Sequence, residues 1–329
     1  MKRIGNLYNE ICSLENLYLA DQKARKGKHS TYGVRRHDLN RHENLKKLRQ
    51  LLLENKYKTS PYKVFTIQEP KERLIYQLPY YPDRIVHHAV MNVLEDIWVS
   101  VFTTDTYSCI KGRGIMGCAN KVKKDLKNNN QETAYCLKLD IRKYYPTIDH
   151  EVMKIIVRRK IKDKRLLNLL DEIIDSTPGL PIGNYLSQYL ANLYLAYFDH
   201  YMKEVCKLKY YYRYADDIVI LHSSKQFLHA LYFQIKHYLN DNLKLEIKSN
   251  FQIFPVEKRG IDFVGYRFFH THTLLRNTIK RNLCKRINKI NKKSLTSEQY
   301  AVEISAQTSW TKHCNSINLM KKICKNEAV

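Results

Sequence analysis

The sequence lacks the marks of an exported or membrane-spanning chain. No stretch approaches the roughly eighteen uninterrupted apolar residues that a spanning helix needs. The opening MKRIGNLYNEICSLENLYLADQ starts with positive charge but mixes Asn, Glu and Asp into its apolar positions, which fits neither a signal peptide nor a span. The eight cysteines, at 12, 109, 118, 136, 206, 284, 314 and 324, include no closely spaced pair, so a zinc knuckle, a redox motif and a disulfide framework are all excluded. They read as reduced, mostly buried thiols, and a reducing cytoplasm is the expected location. The thirteen histidines show no metal-ligand spacing, and there is no internal repeat.

Acidic residues are also scarce. Against 57 Lys and Arg stand 32 Asp and Glu, a formal charge of +25, and no acid occurs between Asp262 and Glu298. A field of that sign attracts a polyanion, and nucleic acid is the leading partner. The 25 tyrosines interleaved with the basic residues suit base or sugar stacking, or else fill half-buried strand positions. At 329 residues the chain exceeds one ordinary core, so two or three lobes are expected.

Hydrophobic periodicity predicts a helix over residues 6–22, a basic loop KARKGKHS, and a second helix from Asp38 to Glu54. TSPYKVFTIQEPKERLIYQLP switches to a two-residue period and reads as a hairpin with a basic tip. After Pro82, helical spacing resumes with Asp83 as N-cap, and KGRGIMG is a glycine-rich loop. AYCLKLDI is a buried strand, HEVMKIIVRRKI and KRLLNLLDEII are helices, and NYLSQYLANLYLAYFDHYMKEV is one long helix. KYYYRY and IVILH are strands, a helix covers 225–240, and LKLEIK to GIDFVGYRFF adds sheet. From residue 274, Leu275, Ile279, Leu283, Ile287 and Ile290 form one apolar stripe, with eight Lys and Arg between Arg276 and Lys293 on the remaining surface. Such a run repels itself unless an anion lies against it, which predicts a phosphate-tracking helix; a merely solvated basic face is the alternative.

The chemistry is carried by YYYRYADDIVIL. Asp216 and Asp217 stand where a tight hairpin would normally take Asn-Gly. Adjacent carboxylates raise each other's pKa unless a cation neutralises them, and hard divalent magnesium prefers oxygen ligands. Asp140 ends the strand in CLKLDIRKYYPTID, among apolar neighbours that make a buried carboxylate costly. Beside the ADD hairpin, the three acids would hold two ions about 3.5–4 Å apart, suited to in-line phosphoryl transfer. Alone, Asp140 could equally cap a turn.

Together, YADD after an aromatic strand and LDIRKYYPTID upstream resemble the palm of reverse transcriptases. KERLIYQLPYYPDRIVHHAV, YSCIKGRG and GIDFVGYRFF resemble further blocks of group II intron-type enzymes, so the resemblance covers nearly the whole chain. It implies an α+β right-hand polymerase fold: an N-terminal helical extension over 1–60, fingers over 61–133, a palm over 134–273 that lends 150–180 to the fingers, and a helical basic thumb over 274–329. It implies RNA-directed DNA synthesis with two Mg2+, or Mn2+ as substitute, on Asp140, Asp216, Asp217 and the backbone carbonyl of Ile141. Tyr145 would stack on the incoming sugar and exclude a 2′-hydroxyl, while Lys71 and Arg73 would bind the triphosphate. Arg84, Arg113, Tyr214, Gln188, Arg276 and Lys280 would meet template or primer, although a helix-start salt bridge also accounts for Arg84. Lys248 is a candidate to protonate pyrophosphate.

One departure narrows the resemblance. Where most reverse transcriptases carry Gln-Gly before the long palm helix, this chain reads GLPIGNYLSQ, with Ile182 and Gly183. Ile182, Gly183, Ser187 and Gln188 resemble the IGxxxSQ pattern of diversity-generating retroelement reverse transcriptases. That group copies template RNA with errors at adenines and works with a small basic accessory protein oligomer, in bacteria or phage. A branched apolar side chain cannot offer the hydrogen bonds of a glutamine amide, so nucleotide positioning should loosen. The alternatives are a faithful retron, group II-like or phage-defence enzyme and, from another class, a non-catalytic nucleic-acid-binding module.

Overall fold

The computed structural model describes residues 2–68 and 72–324. In chain order the elements are α1 (Tyr8–Ile11), α2 (Leu14–Ala24), α3 (Tyr32–Asp38), α4 (Arg41–Leu53), β1 (Lys63–Ile67), β2 (Arg73–Gln77), α5 (Ile85–Val99), α6 (Gly114–Asn128), β3 (Tyr135–Asp140), α7 (His150–Arg158), α8 (Lys164–Ile174), α9 (Tyr185–Tyr194), α10 (Ala196–His200), β4 (Tyr210–Tyr214), β5 (Asp217–His222), α11 (Lys225–Leu243), β6 (Gln252–Pro255), α12 (Val256–Arg259), β7 (Ile261–Phe263), β8 (Tyr266–Phe268), β9 (Thr273–Leu275), α13 (Asn277–Asn291), α14 (Ser297–Gln307) and α15 (Ile317–Ile323). They fall into two compact units, one of Met1–Thr104, Ile141–Val205 and Lys236–Ile247, the other of Asp105–Asp140, Cys206–Ile235 and Lys248–Val329.

The first unit is mainly helical. α2 starts afresh after α1 because the Ser13 side chain accepts from Asn16 N, which caps a new helix where the periodicity alone predicts a continuous one. Asn16 then donates to Ile11 O at 3.1 Å and Ala89 O at 3.0 Å, fastening α2 to α5. Leu17, Ala20, Val86, Ala89, Val90 and Leu94 are buried there. Asp149 caps α7, and Asp163 caps α8 while also accepting from Leu7 N and Tyr8 N. β1 and β2 pair antiparallel with Ile67 opposite Arg73, largely exposed.

The second unit holds a four-stranded antiparallel sheet of order β4-β5-β3-β6 and a three-stranded sheet β7-β8-β9. One apolar core runs through it, from Cys118, Val122 and Leu126 of α6, through Tyr212 and Val219 of the larger sheet and Phe263, Tyr266 and Phe268 of the smaller, to Leu283, Ile287 and Ile290 of α13. Each such side chain contributes about 1.5–3 kcal/mol of burial free energy.

Several expected boundaries move. Asp83 does not cap α5: its carboxylate accepts from Tyr57 OH at 2.7 Å and Ser60 N at 3.0 Å, and Arg84 takes the cap position. Of KGRGIMG only the first residues are loop, since α6 begins at Gly114. The expected second helix is two, α3 and α4, and Leu39 between them is exposed. The long helix after Asn184 breaks at Leu195. LKLEIK forms no named strand, only an Ile141–Ile247 bridge. Leu275 belongs to β9 and α13 starts two residues later. All eight cysteines are free, but only Cys12, Cys118, Cys136 and Cys324 are buried. Among the described residues no helix is long and apolar enough to cross a membrane.

Candidate active site

The β4–β5 hairpin turns through Ala215 and Asp216. Ala215 takes φ +54°, a left-handed conformation that costs a non-glycine residue roughly 1–2 kcal/mol. The turn is held from below by Arg213, fully buried, whose Nη1 donates to Ala215 O at 3.0 Å. β3 lies beside β5 in a register that sets Asp140 directly opposite Asp217, while Tyr214 faces Asp217 from β4. Two strand ends and one turn therefore gather the three acids at the same edge of the sheet.

Cations already answer part of this charge. Lys248 N donates to Asp140 O at 2.9 Å and Lys248 Nζ to Asp140 Oδ2 at 2.5 Å. Lys138 Nζ stands 3.8 Å from Asp217 Oδ1 and donates to Asp262 O, and Arg276 Nε binds Asp262 Oδ1 at 2.5 Å. Burial, then the Asp140 carboxylate, push Asp216 up to about 6. Asp217 is also raised, by burial first, with Asp140 and Asp262 adding to it and Lys138 and Arg276 opposing. Asp140 Oδ1 is buried without a hydrogen-bond partner among the described residues.

An orphaned carboxylate oxygen beside a carboxyl held toward its neutral form is a site short of positive charge. Hard oxygen donors of this kind fit a divalent cation such as magnesium. Among the described residues no three His, Cys, Asp or Glu side chains stand in a finished ligand set; Lys248 and Lys138 engage the oxygens instead.

The second unit also contains four other expected contacts. Tyr214 is half-buried against the core, its hydroxyl raised by burial. Arg113 sits at the start of α6 and donates to Thr106 O at 3.0 Å. Arg276 stands at the N-cap position of α13 with its side chain on Asp262, and Lys280 is exposed in the first turn. Sequence reasoning passed over Arg213 and Lys138, although a charged residue inside the aromatic run YYYRY was a visible signal.

The remaining candidates lie in the first unit. Ile141 is buried and bridges Ile247. Tyr145 opens a short 3₁₀ turn, half-buried, with its carbonyl accepting from Leu180 N at 2.8 Å. Ile182 O accepts from Tyr76 N of β2 at 3.0 Å. Gly183 has φ +120°, and a Cβ there would come within 3.0 Å of Tyr76 O, so glycine is required for this close approach. Gln188 is exposed on α9, and Arg73 is exposed at the start of β2. Arg84 is half-buried, and burial lowers its pKa. Lys71 lies outside the described residues.

Among solved structures, apo telomerase from Candida Tropicalis is similar to this chain at TM-score 0.51 and 13% identity, over 82% of this chain and 60% of that one. The likeness defines the class of fold, an α+β right-hand polymerase. Protein YkfC of Escherichia coli (strain K12) is 26% identical across 67% of this chain and 70% of its own length. The group II intron-encoded protein LtrA of Lactococcus lactis subsp. cremoris is 24% identical over 51% of this chain, which spans only 29% of LtrA. Residues 63–268 match the reverse transcriptase (RNA-dependent DNA polymerase) family. The chain belongs to that family, and with it to the RNA-directed DNA polymerases.

Proposed function

We propose that Asp140, Asp216 and Asp217 are the catalytic carboxylates of an enzyme that copies a template RNA into cDNA from dNTPs, error-prone at template adenines as in diversity-generating retroelements. The observation that carries the site is the pairing of Asp140 with Asp217 across β3 and β5, with Asp216 raised in the adjoining turn. The three carboxylates, with Ile141 O, would hold two divalent ions, Mg2+ or Mn2+, and the chemistry these would supply is a more acidic primer 3′-hydroxyl and neutralised triphosphate charge. Lys248 holds Asp140 through Oδ2 and is the proton donor for departing pyrophosphate. Tyr145 excludes a 2′-hydroxyl, Lys71 and Arg73 clamp the triphosphate, and Arg84, Arg113, Tyr214, Gln188, Arg276 and Lys280 contact template or primer.

The mutagenic reading is supported by Ile182 and Gly183. Ile182 O accepts from Tyr76 N of β2, Gly183 passes close to Tyr76 O, and Asn184 Nδ2 donates to Tyr62 OH at 3.3 Å, so this segment is tied to the fingers hairpin and carries an apolar side chain in place of a glutamine amide. A small basic accessory protein oligomer is a further partner in this reading. The likeness to a group II intron-encoded protein favours a second reading, a faithful enzyme. Primer extension on RNA with magnesium and dNTPs, followed by cDNA sequencing, separates them. Asp216→Ala abolishes synthesis, and Ile182→Gln reduces adenine-directed errors. Accurate wild-type cDNA would sink the mutagenic reading and leave the polymerase.

A further inference from the structure

At the far end of β3 from Asp140, the second unit contains an open cleft of about 340 Å³, similar in volume to small-molecule sites of roughly 300–1,000 Å³ but open to solvent. Thr133 Oγ1 and His270 Nε2, 3.0 Å apart, tie its rim to the approach of β3. Asp140 lies about 17 Å further along, at about 3.3 Å per strand residue.

One wall is α6, which contributes Lys123, Lys124 and Lys127, and among the described residues no Asp or Glu lines the pocket. The nearby Asp125 cannot neutralise these lysines, because it is buried and engaged by Lys121 Nζ at 2.5 Å and Tyr212 OH at 2.6 Å. Lys123 Nζ donates to a neutral carbonyl, His313 O, at 3.2 Å. The facing wall is the turn after β8. There Phe269 and His272 stack with centroids 4.5 Å apart and planes at 11°, and Phe269 N donates to His272 O at 2.9 Å. The Phe269 ring packs over Gly260, where a Cβ would approach within 2.5 Å. Asn315 pins the next residue, accepting from Thr273 N at 2.9 Å and donating to Thr273 O at 2.8 Å. The turn is thus held by hydrogen bonds at both ends and by the packing of Phe269 over Gly260.

We propose that this pocket is a second nucleic-acid site, apart from the catalytic carboxylates, that takes one nucleotide of a single-stranded or bulged segment. The lysines neutralise its backbone phosphates and the fixed Phe269–His272 pair stacks on its base. Phosphate neutralisation by lysine and base stacking on a ring are the two components of sequence-tolerant single-strand binding. An acidic protein would use the lysines but not the ring pair. The proposal rests on the reverse transcriptase reading only for the supply of RNA, not for the geometry of the pocket.

The test is fluorescence anisotropy with the full chain, its catalytic site saturated by unlabelled primer–template. The probes are a short single-stranded RNA, DNA of the same sequence, and an aspartate-rich peptide. Lys124 and Lys127 are exposed, so Lys124→Glu/Lys127→Glu should fold normally, which circular dichroism checks. It should weaken RNA or DNA binding at least about fivefold and flatten the salt slope by about 1 to 2. His272→Ala should weaken binding about fivefold with the slope unchanged. Both variants should extend a short annealed primer at the wild-type rate. Wild-type affinity for both oligonucleotides, or a loss confined to the peptide, overturns the proposal. Lost primer extension in the variants refutes the separation from the catalytic site. Failure of the wild type to extend a primer would instead count against the polymerase reading and leave the binding result standing.

Discussion

Arg213 is fully buried one strand residue from the turn that carries Asp216, and its guanidinium supports Ala215 O. A carbonyl left without its donor costs up to about 1–3 kcal/mol, less where it is only half-buried, as Ala215 is. Arg213→Met should lower stability by about 1–3 kcal/mol in urea unfolding and slow primer extension by distorting the turn; unchanged stability and rate would refute a supporting role. The acids themselves were legible, because adjacent carboxylates between aromatic and apolar strands have few structural uses. The way they are held was not. Lys138 and Lys248 read in sequence as two of many lysines, and only the pairing of β3 with β5 and the chain reversal after Ile247 bring them to Asp217 and Asp140.

At the scale of elements, α2 is anchored by Asp21. This buried carboxylate accepts from Arg41 Nε at 2.6 Å, Arg25 Nη2 at 2.7 Å and Tyr80 OH at 2.5 Å. Burial raises its pKa, but the bonds from Tyr80, Arg25 and Arg41 outweigh burial and leave it lowered. A group lowered on folding stabilises fully above its unfolded pKa, about 3.9, and loses that contribution as pH falls through the folded value. Asp21→Asn should therefore cost about 3 kcal/mol at pH 7, the scale of a broken buried ion pair. Urea unfolding across pH should show the gap to wild type narrowing below about pH 4, and a constant gap would count against this assignment. Elements with several turns or clear alternation, such as α8, β4 and β5, were readable from the sequence. The sheet in GIDFVGYRFF, which holds β7 and β8, was also readable. The three-residue β9 is too short to carry a period, and its Leu275 was read into the following helix. The cap of α5 was decided by Tyr57 and Ser60, distant in sequence from Asp83.

For the whole molecule, charge dominates. With a net +25, binding to single-stranded RNA should weaken steeply with salt, by about 0.7 in log affinity per log unit of salt for each phosphate neutralised. Titration between low and physiological salt should give a slope of several units, and a flat response would mean the excess charge is not spent on phosphates. Charge and motif revealed the partner class and the fold class. Length led to the expectation of two or three lobes, but which residues make each unit was hidden, because each is assembled from three separated stretches of chain.

That interleaving has a consequence for biosynthesis. β3, the central strand with Asp140, leaves the ribosome long before its neighbours β5 and β6, and must wait with open edges until Gln252–Pro255 has followed. Sheets closed by such distant pairings form slowly and expose strand edges that can aggregate. A nascent chain of this design would benefit from chaperone shelter, and neither unit can be expressed as a simple contiguous fragment.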